Sequence, residues 1–125
     1  MITGTVTPAR EAVLCLSVYD ARGKMHETRV VVDTGFDGWL TLPPSFIIAL
    51  GLTWKRFERL TLADGNAILT NVYDATVEWD GHEVTVLVIE ADADPIVGMS
   101  LMCGFELTMP ILEGATFKLR RIPRP

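Results

Sequence analysis

Thr28-Arg29-Val30-Val31-Val32 runs without a break into Asp33-Thr34-Gly35, and about sixty residues later Ile96-Val97-Gly98 again sets two β-branched residues before a glycine. Consecutive valines favour a pleated strand, and an apolar run with no polar alternation marks a strand buried on both faces. Such a strand rigidly holds the residues that come after it. Here these are a carboxylate, then a hydroxyl, then a residue with no side chain, which lets main-chain N–H groups come close to the carboxylate oxygens. Asp33-Thr34-Gly35 is therefore the tripeptide that suggests a reaction. Taken alone it has a plain structural reading, because Asp and Thr bond neighbouring amides in many turns. The second motif is what gives it weight.

On either side of these motifs the chain is rich in strand patterns. Residues 12–20 alternate roughly and end at the turn Ala21-Arg22-Gly23, and residues 28–32 form the next strand. Trp39-Leu40-Thr41-Leu42 is halted by Pro43-Pro44, after which residues 45–50 carry helical spacing and Gly51 stands where a helix often ends. From residue 56 onward, ERLTLADG, AILTNVYDATVEWDG and HEVTVLVIEAD read as strands, with hairpin signals at Asp64-Gly65 and Asp80-Gly81. Residues 95–105 read as a short strand breaking at Gly98 into one or two helical turns, and residues 107–111 and 115–122 as closing strands. No repeat, linker or low-complexity tract divides the chain, so residues 1–125 read as a single domain with a short basic tail.

Composition bounds the function. The 125 residues are 49% hydrophobic and 22% charged with mean hydropathy +0.30, which supports a real core and leaves apolar surface for a partner to cover. A net charge of −5 and a pI near 4.9 give no footprint for phosphate backbones, so no nucleic-acid partner is expected. No apolar run approaches the ~18 residues of a membrane helix and no basic start precedes an apolar block, so no membrane partner and a cytoplasmic location are expected. Cys15 and Cys103 lack metal-like or Cys-x-x-Cys spacing and read as reduced thiols. His26 and His82 read as solvated turn residues, and Glu90, Asp92 and Asp94 as a solvated acidic turn without the glycine and distal glutamate of a calcium loop. No metal and no cofactor are expected. Trp39, Trp54, Trp79, Phe46 and Phe57 read as core or interface.

The two motifs in this order resemble the retroviral-type (retropepsin-like) aspartic proteases, particularly their single-domain bacterial relatives, over most of the chain. Phe36-Asp37-Gly38-Trp39-Leu40-Thr41-Leu42-Pro43 is similar to the segment after the family's catalytic turn. Leu62-Ala63-Asp64-Gly65 and Ala75-Thr76-Val77-Glu78-Trp79-Asp80-Gly81 are similar to its flap region and later hairpin. Ile96-Val97-Gly98 with residues 99–107 is similar to the hydrophobic-hydrophobic-glycine signature and closing helix. Ser100 stands where the family often has Asn or Asp, Phe36 where retroviral members carry Ala or Ser, and Asp64-Gly65-Asn66 where they have a glycine-rich tip.

The resemblance implies an all-β closed barrel of the retropepsin type with one or two short helices, acting as a homodimer on an extended peptide. It implies catalytic roles for Asp33, Thr34 and Gly35, the Thr34 hydroxyl reaching the opposite main chain. It implies substrate contacts for Phe36 and Ile96 and for a flap made of Ala63, Asp64, Gly65 and Asn66. Aspartic proteolysis uses two carboxylates sharing a proton, and this chain has one Asp-Thr-Gly, so two copies are required. The rival expectation is a dimeric module of the same shape that binds peptides without cutting them.

Overall fold

The valine run closes a strand that the surrounding sheet grips on both sides. The computed structural model describes residues 1–124. In chain order the elements are β1 (Ile2–Val6), β2 (Ala12–Tyr19), β3 (Met25–Val32), β4 (Leu40–Leu42), α1 (Pro44–Leu50), β5 (Thr53–Thr61), β6 (Ala67–Trp79), β7 (His82–Glu90), β8 (Ile96–Val97), α2 (Met99–Met102), β9 (Phe105–Thr108) and β10 (Thr116–Arg121). The protein is mostly β, as its alternating sequence implies. One ten-stranded sheet runs β5-β6-β7-β4-β8-β3-β2-β1-β10-β9, and a further pairing of β6 with β2 closes six of the strands into a ring. β5 lies outside that ring on one side, and β1, β10 and β9 extend it on the other.

Period-two burial fills the centre. Ala12, Leu14, Leu16 and Val18 of β2 point inward, and they meet Ala75, Val77 and Trp79 of β6, Val86 and Val88 of β7, and Phe117 and Leu119 of β10. Each such side chain stabilises by about 1.5–3 kcal/mol on burial. α1 begins on Pro44, whose fixed φ suits a first helical position, and ends at Gly51 with φ +64, whose N–H donates to the Ile48 carbonyl.

Two strand expectations are corrected, and one strand comes without a sequence signal. β1, Ile-Thr-Gly-Thr-Val, has a glycine and threonines that carry no apolar period. It is held by β10, with Gly4 opposite Phe117. A Cβ at Gly4 would sit 2.2 Å from the Phe117 ring, so the ring covers the strand where glycine leaves it bare. β5 starts at Thr53, three residues earlier than residue 56, since a bulge between Trp54 and Arg56 lets Trp54 pair with Tyr73. The strand expected over residues 107–111 is β9, Phe105–Thr108. Pro110 has no N–H for a ladder, and the chain turns back through Gly114, whose N–H donates to the Val6 carbonyl.

The short β8 pairs parallel with β3 (Val31 with Ile96, Val32 with Val97) and antiparallel with β4 (Leu40 with Val97, Thr41 with Ile96). Beyond it the chain passes through a tight main-chain crossing. The Gly98 N–H donates to the Trp39 carbonyl at 3.1 Å, that of Met99 to Phe36 at 2.8 Å, and that of Ser100 to Gly38 at 3.0 Å. The Ser100 hydroxyl adds a bond to the Asp37 carbonyl, so serine keeps a stabilising contact at this position. A Cβ at Gly98 would lie 2.4 Å from the Gly38 oxygen and 2.7 Å from the Phe36 oxygen, neither of which is free to swing aside. Gly98→Ala is expected to destabilise by at least ~1–3 kcal/mol, the cost of forcing one methyl into a filled site. An unchanged urea midpoint would contradict this.

The β2–β3 turn is tied by one carboxylate. Asp20 Oδ1 accepts the N–H groups of Arg22 (2.8 Å) and Lys24 (3.0 Å), and Oδ2 lies 2.8 Å from His26 Nε2. His26 therefore belongs to β3 with a partner and is not a solvated turn residue. The His26 contact first, then the Lys24 amide, lower the Asp20 pKa to about 2. A carboxyl depressed in the folded state stabilises above its unfolded pKa, near 4, and loses that contribution as pH falls through the folded value. Between about pH 4 and pH 2 the thermal midpoint of the wild type should thus fall more steeply than that of Asp20→Asn. Parallel melting curves in that window would refute it.

Candidate active site

Asp33 follows β3 with its main chain and carboxylate held at three points. Its N–H donates to the Val97 carbonyl at 2.9 Å, its carbonyl accepts the Phe36 N–H at 3.2 Å, and its Oδ1 accepts the Gly35 N–H at 2.8 Å. The carboxylate is half-buried, fixed through one oxygen by a backbone amide. Gly35 lies close to the carboxylate: a Cβ there would stand 3.1 Å from Asp33 Oδ1, a tight contact that the carboxylate would have to yield to. Thr34 is exposed beside a cavity of about 280 Å³ that Met99, Met102, Cys103, Phe105 and Leu107 help to line. The Phe36 ring packs over Gly38 and Gly98, filling the space that side chains there would need. Ile96 pairs with both Val31 and Thr41, and its N–H donates to Thr41 Oγ1 at 3.1 Å. Asp33, Thr34, Gly35, Phe36 and Ile96 are thus assembled in one place by the β3–β8–β4 pairing.

The four residues expected in a flap form the tip of the β5–β6 hairpin. The Leu62 N–H donates to the Asn66 carbonyl (2.7 Å), the Gly65 N–H to the Leu62 carbonyl (2.9 Å), and Gly65 takes φ +86, a conformation that favours glycine. The Asp64 carboxylate accepts the Asn66 N–H and side-chain amide, each at 2.9 Å. These bonds, the main-chain one foremost, hold the Asp64 carboxyl below its usual range. The tip is internally ordered, and among the described residues no hydrogen bond joins Ala63, Asp64, Gly65 or Asn66 to the Asp33 turn. Trp54, Phe57, Leu62, Ile68 and Leu69 are exposed along the hairpin, so Trp54 and Phe57 are not core residues in this chain.

A polar cluster at the hairpin's base escaped sequence reasoning. Asn71 Nδ2 donates to Glu90 Oε2 at 3.2 Å, Tyr73 Oη to Glu90 Oε1 at 3.2 Å, Thr70 Oγ1 to the Glu90 carbonyl at 2.7 Å, and Trp54 Nε1 to Asn71 Oδ1 at 3.0 Å. Glu90 is therefore engaged and half-buried, whereas Asp92 and Asp94 come after it in an open bend. A signal existed. A two-residue turn at Asp80-Gly81, both with positive φ, pairs Trp79 with His82, and counting along the two strands sets Asn71 near Glu90.

Cys15 and Cys103 are free and exposed. Among the described residues no group of three His, Cys, Asp or Glu is placed to hold a metal ion, and no helix is long and apolar enough to cross a membrane.

No protein-family model matches the chain, and no curated protein matches it. Solved structures do. A retropepsin-like aspartic protease from Rickettsia conorii is similar with a TM-score of 0.62 at 15% identity, covering 94% of this chain and 87% of that one. EIAV protease, solved in complex with the inhibitor HBY-793, is similar with a TM-score of 0.57 at 16% identity, covering 76% of this chain and 88% of that one. Identity this low speaks to the backbone and not to chemistry, and the backbones agree over most of each chain: this protein has the retropepsin-like fold.

Proposed function

We propose that the protein is an aspartic endopeptidase in which Asp33 of two copies meets across a twofold axis. The observation that carries this reading is a single aspartate anchored at three points, beside an exposed threonine, in a retropepsin-like fold. Half a dyad per chain calls for a second copy, and the exposed apolar side chains and high mean hydropathy fit an obligate interface.

In this reading the ionised Asp33 takes a proton from a water whose oxygen attacks the scissile carbonyl carbon. The protonated Asp33 of the other copy gives its proton to the carbonyl oxygen, forming a neutral gem-diol. The intermediate collapses as one gem-diol hydroxyl returns a proton to a carboxylate and the C–N bond breaks. The departing amine takes the other proton, leaving an acid, an amine and the original shared proton. Gly35 N–H on Oδ1 keeps the carboxylate oriented throughout. Phe36, Ile96 and the hairpin tip would contact an extended peptide, the tip by main-chain hydrogen bonds. The pair carries 2 × −5 = −10, which favours basic or neutral peptides, an effect that salt screens.

Asp33→Asn keeps the shape and removes the shared proton, so cleavage of a diverse peptide library, read by mass spectrometry, should fall by at least ~10²–10⁴-fold with peptide binding retained. Equal cleavage patterns for the two proteins would favour the non-catalytic peptide-binding module. Wild-type activity should be bell-shaped in pH, because neither the doubly protonated nor the doubly ionised pair can act. Sedimentation should give about twice 13.8 kDa, with Thr34→Ser retaining and Thr34→Val weakening the association. A strictly monomeric wild type would leave the dyad incomplete and end the proposal.

A further inference from the structure

The hairpin that carries the expected flap is anchored at one point. β7 begins to accompany β6 at the pair Val72–Ile89, so residues 67–71 have β5 as their sole ladder partner. A two-stranded ribbon standing alone is marginally stable in water. Its pose must therefore be set where it leaves the sheet, and there the Glu90 cluster sits.

Asn71 and Tyr73 share a face of β6 with Ala75, Val77 and Trp79, which line the core. The cluster closes that core at the ribbon's base. Glu90 supplies three acceptor oxygens to three positions of β6: its carbonyl to Thr70, one carboxylate oxygen to Asn71, the other to Tyr73. Asn71 then passes the connection to the other strand by accepting Trp54 Nε1–H, and the Trp54 ring meets Phe57 in a T-shaped contact at 5.2 Å. The bulge between Trp54 and Arg56 falls at the same level, where it adds twist. Burial, then the nearby Glu90 carboxylate, raise the Tyr73 phenol pKa, which keeps it a donor.

We infer that Glu90, Asn71 and Trp54 form a hinge clamp that fixes the β5–β6 hairpin relative to the sheet, and that they are positioning residues for whatever the hairpin tip holds. The second half rests on the peptidase reading; the first does not. Breaking the clamp frees the ribbon's direction and, with that support gone, lets its two-stranded ladder open more often.

The test compares wild type, Asn71→Leu and Trp54→Phe by hydrogen exchange and by peptide kinetics. Trp54→Phe removes one donor from an exposed ring, which keeps a correctly folded variant in hand even if Asn71→Leu folds poorly. Amides of residues 56–70 should exchange roughly two- to ten-fold faster in each variant, the factor that one hydrogen bond confers, with amides of β2 and β7 unchanged as the internal control. On a cleaved peptide, KM should rise about as much while kcat stays within about twofold, since the clamp touches no reacting atom. Glu90→Gln, which keeps one of the two carboxylate acceptors, should fall between wild type and Glu90→Leu in both readouts. Equal exchange of the ribbon amides in all proteins would overturn the clamp. Faster exchange with KM unmoved would overturn the positioning role. A wild type that cuts no peptide would sink the peptidase reading, and the exchange measurement would still decide the clamp.

Discussion

Everything at the Asp33 turn depends on a lack of room at Gly98. Two chain segments, residues 36–39 and 97–100, cross so closely that carbonyls of Phe36, Gly38 and Trp39 accept N–H groups from Met99, Ser100 and Gly98. A side chain at the crossing would meet backbone oxygens on two sides. The crossing lets the two residues of β8 serve as rungs for β3 on one side and β4 on the other, and Val97 lies fully buried between them. The Val97 carbonyl then receives the Asp33 N–H. Carboxylate position is thus inherited from core packing through a short run of main-chain hydrogen bonds.

That inheritance separates the Asp33 turn from the hairpin. The turn bearing Asp33 is held by the ring of strands, whereas the hairpin tip is held by its own bonds and, at its base, by Glu90. Carboxylate position and hairpin position are therefore fixed by separate sets of bonds.

Much of this is legible in the amino-acid sequence itself. The valine run, Asp33-Thr34-Gly35 and Ile96-Val97-Gly98 are local in sequence, and each carries its own physical signature: β-branching, a short polar pair, a glycine. The helical turn after Gly98 and the α1 stop at Gly51 arise from the same kind of local signal. What escaped depends on partners distant in sequence. β1 exists because Phe117 covers Gly4, a relation across more than a hundred residues that no window detects. β9 stops at Thr108 because the loop after it must return to Val6. Glu90 looks like one more acid in an acidic turn until its cross-strand neighbour is counted. Trp54 and Phe57 read as core or interface, and the hairpin carries them away from the core, which leaves the second of the two.

In the order of the sheet eight strands lie between two neighbours, which leaves β5 and β9 as its outermost strands. β9 is four residues long, and β5 presents Lys55, Arg56, Glu58 and Arg59. Short or charged margins discourage a foreign strand from adding itself to a sheet. The outermost strands of a chain of such high hydropathy are thereby made poor templates for fibril growth.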